Sequence, residues 1–401
     1  LKVFINKDKG IVFDINFCQH KSRIQPMKML YFDYNATTPV HEQVVRAMLP
    51  YFTEKFGNPG CAHMHGLEAR KSIVLARGEL AGIIGAEPDQ IYFTSCATES
   101  SNLVLSGLLE QGDELIISSV EHPSITQPAV NLQKQGVLLK IARVNRKGLV
   151  DPDEISSLVS EKTKLVSVML ANNEVGVIQP IAEIASRLKN RNILFHTDAA
   201  QAVGKIPVDV EILGVDFLTI AGHKMYAPKG IGAIYARYPG LLKPLFFGGG
   251  QENDLKPGTE NTPYIVGIGK AAHLASYDLE QEMKRQKDLG NRFFNGLKSI
   301  IKDFCLHGEN APRLPGTMSI GFGGYRAGDI LSGMVACNLS ASAGAACHGN
   351  IQKMSSVLEA MSVDPHYGMG TIRFSWGRMT TMDDIEELLK RLEYIFHNFL
   401  K

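Results

Sequence analysis

Lys224 is the residue around which the chemistry of this chain can be assembled. It lies in the stretch Thr219-Ile-Ala-Gly-His-Lys-Met-Tyr-Ala-Pro-Lys-Gly230, where the β-like run 215–220 leads into a Gly-His-Lys turn. Pro228 and Gly230 break the turn, and a second β-like run, 231–236, follows at once. A lysine held at a strand end can form a Schiff base with a carbonyl if its surroundings depress its pKa. Alone, a lysine in a turn is an ordinary surface residue. Its partners must decide the matter.

Four more clusters fall at the carboxyl ends of expected strands, where open α/β sheets bind ligands. Thr94-Ser-Cys-Ala-Thr-Glu-Ser100 opens a helix with small and hydroxyl residues. Its backbone N–H groups and the hydroxyls of Thr98 or Ser100 suit a phosphate, although such residues also serve as plain N-caps. In Val120-Glu-His122 the histidine can stack on an aromatic ring or carry a proton. Asn172 and Asn173, in Leu170-Ala-Asn-Asn-Glu-Val-Gly176, can hydrogen-bond a ring hydroxyl or simply make an Asn-rich turn. Asp198, in His196-Thr-Asp-Ala-Ala-Gln201, needs a cationic partner to stay ionised in apolar surroundings. A protonated pyridine nitrogen is such a partner, and the pair keeps the ring an electron sink. One connection and one strand separate Asp198 from Lys224, which sets acid and amine on nearby strand ends. A phosphate cup, a stacking His, a ring-nitrogen Asp and a Schiff-base Lys describe a site for pyridoxal 5'-phosphate.

Two further stretches bear on what such a site does. Ser340-Ala-Ser-Ala-Gly-Ala-Ala-Cys-His-Gly-Asn350 is rich in small residues and carries one cysteine. An accessible Cys347 can reach a bound substrate as the thiolate, whereas a small buried thiol would only pack. Thr371-Ile-Arg-Phe-Ser-Trp-Gly-Arg378 places Arg373 on a strand, and an arginine fork matches either a substrate carboxylate or a structural acid. No metal site is expected: Cys347 and His348 lack a second pair at ligand spacing, and His63 and His65 stand isolated.

The elements that must position these residues alternate. Strands are expected over 91–94, 114–118, 137–144, 165–170, 192–196 and on both sides of Lys224. Helices are expected over 41–56, 67–84, from Ser95 to about Glu110, and over 124–135, 151–160 and 181–190. This pattern predicts an α/β fold with a mostly parallel sheet covered on both faces. From about Ala271 the character changes, with one long charged helix over 277–301, strand-like 317–321, a helix near 330–336 and a closing helix over 383–400. These predict a smaller α+β domain. The expected division is 42–275 for the large cofactor-binding domain, and 29–41 with 276–401 for the small domain carrying the cysteine loop.

Composition narrows the function classes. The chain has 401 residues, 44% hydrophobic and 21% charged, with a formal net charge of +1. It offers no basic field for nucleic acid and no apolar run of the roughly 20 residues a membrane helix needs. The 6 cysteines are scattered without a CxxC pair, which favours a reducing compartment, and the cytoplasm is the expected location. Residues 1–28 lack a signal-peptide core and carry Asp8 and Asp14, so they are expected to lie outside the fold.

From Met29 to Lys401 the sequence resembles the NifS/IscS-type cysteine desulfurases. The resemblance rests on Asp33-Tyr-Asn-Ala-Thr-Thr-Pro39, Gly57-Asn-Pro59, Ala97-Thr-Glu-Ser100, Glu121-His122, Asn172-Asn-Glu174, Asp198-Ala-Ala-Gln201, Gly222-His-Lys224, Gly248-Gly-Gly250 and Arg373-Phe-Ser375. Three stretches look more like the selenocysteine lyase branch: 248–252, 257–263 and 344–348. The resemblance implies fold type I of the pyridoxal-phosphate-dependent transferases, the aspartate-aminotransferase-like fold with a seven-stranded sheet. It implies that Lys224 holds the cofactor and moves the Cα proton, Asp198 pairs the ring nitrogen, and His122 stacks on the ring and joins in catalysis. Gln201 and Asn173 would serve the ring hydroxyl and the substrate, and Ala97, Thr98 and His223 the phosphate. Thr259 would reach in from the second subunit of a homodimer with shared sites. Arg373 and Asn35 would bind the substrate, and Cys347 would attack its sulfur or selenium. This chain has Ala221 where Ser is frequent, Cys96 where Gly is usual, and Lys256 where Arg is usual.

Three functions compete on these grounds. The first is a cysteine desulfurase, also acting on selenocysteine, that supplies sulfur to a protein acceptor for Fe–S clusters or thiolation. The second is a dedicated selenocysteine lyase feeding selenoprotein synthesis. The third is an idle member of the family serving as a binding subunit.

Overall fold

The computed structural model of the protein describes residues 3–6, 10–13, 28–343 and 353–400. Seven strands make the largest sheet: β1 (Ile91–Thr94), β2 (Glu114–Ser118), β3 (Leu138–Ala142), β4 (Thr163–Ser167), β5 (Leu194–Asp198), β6 (Phe217–Ala221) and β7 (Gly232–Ala236). Their order is β1-β7-β6-β5-β4-β2-β3. All neighbours from β6 through β3 run parallel, as the βα alternation predicts. Only β7 is antiparallel to its neighbours, β6 and β1. The cause is local: the turn between β6 and β7 is too short for the crossover that a parallel pair needs. That turn carries Lys224.

The interior strands β6 and β7 are buried at every position, which accounts for their unbroken apolar character. On one face pack α1 (Met64–Gly82) and α4 (Thr262–Tyr277). These two helices touch so closely that a Cβ at Gly269 would fall 2.6 Å from that of Ala76. The other face is covered by α2 (Ala97–Leu108) and α3 (Pro123–Lys134). The chain passes from β2 out to β3 and returns on the other side of β2 as β4. A crevice opens at the carboxyl ends where strand order reverses.

A separate apolar cluster is built on an antiparallel sheet of β8 (Phe304–Leu306), β9 (Thr317–Phe322) and β10 (Thr371–Ser375). Helices α5 (Leu279–Ile300) and α6 (Met382–Tyr394) pack on it, with Leu289, Phe293, Leu297, Ile385 and Leu388 buried. The segment Leu30–Tyr31 pairs with Leu339–Ser340, and Leu30 and Phe32 join this cluster. Asn35 N–H then donates to Ser375 Oγ at 2.9 Å. The early arm thereby delivers Asp33 and Asn35 to the mouth of the large sheet.

Several expected boundaries shift for identifiable reasons. The helix expected over 41–56 is two pieces, Glu42–Met48 and Pro50–Thr53, because Pro50 starts the second one. The long helix expected over 277–301 runs 279–300, and α4 precedes it, separated by Asp278. Helix α4 lacked a polar face to betray it, since eight of its residues are buried, two glycines among them. The strand expected over 165–170 begins at Thr163 and ends at Ser167, and the one expected over 192–196 extends to Asp198. The closing helix ends at Tyr394 and finishes in a wider turn, Ile395–Phe399. Within residues 1–28, Val3–Asn6 and Gly10–Phe13 pair with each other as a hairpin.

Candidate active site

One cavity of about 280 Å³ gathers most of the residues singled out from sequence. It is lined by Ala97, Thr98, His122, Asn173, Asp198, Gln201, His223 and Lys224, together with the two departures Cys96 and Ala221. Residues after β1, β2, β4, β5 and β6 therefore converge on the carboxyl edge of the sheet, around its point of reversal.

The β1–α2 connection supplies an anion cup. Cys96 is the N-cap of α2, but its side chain makes no capping hydrogen bond. The first N–H groups of this twelve-residue helix remain available at the cavity wall. Glu99, in the first turn, instead accepts from Ser95 N–H at 2.6 Å and meets Lys256 at 3.4 Å. The lysine that replaces the usual arginine is thus tied to the base of the cup.

His122 is held rigidly as the N-cap of α3. Its Nδ1 accepts from Ser124 N–H at 3.1 Å and lies 2.9 Å from Ser124 Oγ. Burial lowers its pKa, so the ring is neutral near pH 7 and keeps its flat face for stacking. Glu121, beside it, ties β2 to the segment after β4. Its Oε1 accepts from Ser118 Oγ at 2.5 Å and Met169 N–H at 2.8 Å. Burial pushes Glu121 up to about 8, which leaves it a neutral acid.

Asp198 ends β5 as a buried carboxylate, with Oδ1 accepting from Ala200 N–H at 2.9 Å. Burial raises its pKa, partly offset by that N–H and by His122 and Lys224. A cation placed against its free edge would reverse the shift.

Lys224 closes the β6–β7 turn. Its Nζ donates to the carbonyls of Asn35 and Ala36, the latter at 2.8 Å. Burial and then the charge of Arg373 bring its pKa down to about 8, against the pull of Asp33 and Asp198. Near neutrality a useful fraction is the free amine that attack on a carbonyl requires. His223 is pushed down to about 4 by burial and by lysine charges, and its Nδ1 lies 3.1 Å from Thr37 Oγ1.

The two asparagines part company. Asn172 is structural: its Oδ1 accepts from Glu174 and Val175 N–H, and its Nδ2 donates to Val120 O. Asn173 lines the cavity, while its carbonyl accepts from Asn35 Nδ2 at 3.1 Å and Arg373 Nη1 at 2.9 Å. Arg373, buried on β10, also donates from Nη2 to Asp33 Oδ1 at 2.6 Å. Asn35 acts through its backbone as much as its side chain, since its carbonyl also accepts from Gln201 Nε2 at 2.9 Å.

Thr259 does not reach the Lys224 cavity. It lines a second one of about 200 Å³, with Thr94, Ser95 and Lys256. Cys347 and the whole stretch 344–352 lie outside the described residues. The chain enters that stretch from Ser342, whose backbone pairs with Arg373 in both directions. His63 caps α1 through Nδ1. Among the described residues no three His, Cys, Asp or Glu side chains are grouped to hold a metal ion.

The sequence reading passed over Lys205 and the Asp33 carboxylate. Lys205 follows Gln201 by one helical turn, a spacing that could have drawn attention to it. Asp33 sat unassigned within a motif.

The arrangement can seat an anion at the α2 N-terminus, a ring cation against Asp198 and a carbonyl carbon at Lys224. Comparison with known proteins gives the family. The aminotransferase class-V family model matches residues 30–388. The chain belongs to the aminotransferase class-V family. It is 41% identical over 370 residues to the cysteine desulfurase IscS of Dictyoglomus turgidum, covering 91% of this chain and 94% of that one. It is 39% identical over 380 residues to the cysteine desulfurase IscS of Methanosarcina thermophila, covering 94% of each. Among solved structures, a NifS-like protein superposes with a TM-score of 0.86 at 34% identity, covering 92% of this chain and 99% of that one. The class-V fold places the mostly parallel seven-stranded sheet where the sequence pattern predicted it.

Proposed function

We propose that the protein is a pyridoxal-phosphate-dependent cysteine desulfurase, which takes sulfur from L-cysteine and leaves L-alanine. The observation that carries this reading is the shared cavity of Asp198, His122, Lys224 and the uncapped start of α2. The desulfurase names of relatives near 40% identity supply the substrate.

The α2 N–H groups, Thr98 and His223 would hold the cofactor phosphate, Asp198 its ring nitrogen, Gln201 and Asn173 its ring hydroxyl, and His122 its face. Lys224 Nζ would hold its aldehyde carbon. When bound, the cofactor supplies an electron sink for the pair left at the substrate Cα. Lys224, with its lowered pKa, removes and returns the proton at that carbon. Arg373, with Asn35 beside it, orients the substrate carboxylate. Cys347, as the thiolate, takes the sulfur atom and carries it as a persulfide, the electron pair of the carbon–sulfur bond staying with carbon. The anchoring of Ser342 on Arg373 supports this role, since the segment bearing Cys347 starts beside the carboxylate-binding arginine.

The second cavity, with Thr259, fits a homodimer in which each subunit completes the other's phosphate site. Residues 42–275 would form the large cofactor-binding domain, and 29–41 with 276–401 the small domain carrying the cysteine loop. A protein acceptor would receive the sulfur. No helix among the described residues is long and apolar enough to cross a membrane, and we place the enzyme in the cytoplasm.

The deciding experiment loads the protein with pyridoxal phosphate and measures alanine release from cysteine and from selenocysteine, for the wild type and Lys224→Ala. Release from cysteine that Lys224→Ala abolishes is the expected result. Release from selenocysteine alone would replace this reading with a selenium-specific lyase, and no release from either would leave only a binding role.

A further inference from the structure

Lys205 is a basic residue bordering the Lys224 cavity, in contact with Gln201 of its lining, for which the reaction has no use. Its Nζ lies 2.6 Å from Gln201 Oε1 and 3.1 Å from Asn35 Oδ1. The charged groups that bear on it are both cations, Lys224 and Arg373, and burial with their repulsion holds its pKa well below the usual lysine value. A cation in such a place is costly without an anion beside it. Among the described residues no carboxylate pairs with it.

What the amine does follows from what it can donate. Neutral or charged, it has at least two N–H bonds to give, and both of its partners are amide oxygens. An Asn or Gln side chain shows an acceptor on one edge and donors on the other. Fixing the oxygen toward Lys205 therefore fixes the NH₂ toward everything else. Gln201 Nε2 donates to Asn35 O at 2.9 Å, and Asn35 Nδ2 donates to Thr317 Oγ1 at 2.9 Å and Asn173 O at 3.1 Å. Each of those bonds requires the orientation that Lys205 imposes. Gln201, which lines the cavity, has a second N–H left over.

We propose that Lys205 is a positioning residue of this site, donating to Gln201 Oε1 and Asn35 Oδ1 so that Gln201 presents an N–H, and not its carbonyl, to the ring oxygen of the cofactor. It acts through Gln201 and touches no reacting atom. Without it, only the bond from Nε2 to Asn35 O holds the amide, and the turned form, whose oxygen would oppose an ionised ring hydroxyl, becomes easier to reach. The inference rests on the cofactor reading given above.

The test uses cofactor-free full-length protein and two probes, pyridoxal phosphate and its analogue lacking the ring hydroxyl. Binding is followed by fluorescence titration for wild type, Lys205→Met, Gln201→Ala and the double variant, with thermal melting to establish folding. Wild type should prefer pyridoxal phosphate by about tenfold, one charge-assisted hydrogen bond. Lys205→Met should cut that preference to below about threefold by weakening only the hydroxyl-bearing probe. In the Gln201→Ala background, Lys205→Met should change the preference no further. Lys205→Leu, which likewise removes the donor, carries the same comparison where the methionine variant does not fold. Equal weakening of both probes, or an unchanged preference, would overturn the proposal and leave Lys205 a packing residue. Failure of wild type to bind either probe would instead overturn the cofactor reading itself.

Discussion

Arg373 and Asp33 form an ion pair at the meeting of the two apolar clusters, Nη2 to Oδ1 at 2.6 Å, with Arg373 side chain only 6% exposed. The pair occupies one arm of the fork that a substrate carboxylate needs, while Nε has no partner among the described residues. In the proposed reading, Asp33 would hold the guanidinium in place for the substrate carboxylate. Arg373→Lys keeps the charge but loses the fork. It should raise KM for cysteine by about tenfold or more while kcat falls less, measured in steady state. Arg373→Ala should also destabilise the fold by about 3 kcal/mol, since Asp33 is left unpaired, and adding Asp33→Asn should recover part of that loss in urea unfolding.

Lys224 titrates near 8 in the folded chain against an ordinary 10.5. Below pH 8 both folded and unfolded chains carry the proton, and the folded chain bears the full cost of the buried charge. Between 8 and 10.5 the unfolded chain retains a proton that the folded chain has released, so stability rises with pH across this window. In cofactor-free protein Lys224→Met should be more stable than wild type at pH 7, by about 1–2 kcal/mol after allowance for partial exposure. Urea titrations at pH 7, 8.5 and 10 should show the gap closing.

Asp198 separates stability from activity. Asp198→Asn can keep the bond from Ala200 N–H but removes a buried charge. The melting temperature of the cofactor-free protein should hold or rise. Alanine release should fall by about a hundredfold or more, because a neutral partner no longer stabilises a protonated ring nitrogen.

His196 gives the same sign of pH dependence as Lys224, in a lower window. It is fully buried between Ser167 Oγ at 2.8 Å and Thr219 Oγ1 at 3.0 Å, and burial takes it down to about 3. Its neutral form is the native one. As pH falls from 6.5 toward 3, the unfolded chain takes up a proton that the folded chain refuses, so stability is lost on acidification. His196→Gln should flatten the acid limb by up to about 1.4 kcal/mol per pH unit, read from chemical unfolding at pH 7, 6 and 5.

How much of this was legible in the sequence differs by residue. Short buried strands with sharp ends, such as Ile91–Thr94 and Glu114–Ser118, coincide with their expected bounds because turn residues flank an unbroken apolar run. Helix α4 was missed because its buried positions include small residues, Gly267, Gly269, Ala271 and Ala272, that blur its periodicity. The cavity residues could be read wherever each closed a strand, as Asp198 does, or lay in the turn just after one, as Lys224 does. Residues acting through contacts distant in sequence could not. Nothing near Asp33 signals a pair with Arg373, and nothing near Lys205 signals that its amine meets Asn35. Those contacts arise only when the early arm crosses from one apolar cluster to the other.

In the proposed reading Cys347 takes the sulfur, and that chemistry can be read directly. Cofactor-loaded protein is given one equivalent of L-cysteine without reductant, and the intact chain and its peptides are weighed by mass spectrometry while alanine is counted. The expected result is one sulfur atom added at Cys347 for each alanine released, with both lost in Cys347→Ala. Alanine release at the wild-type rate from Cys347→Ala, with the sulfur found free in solution, would contradict the account.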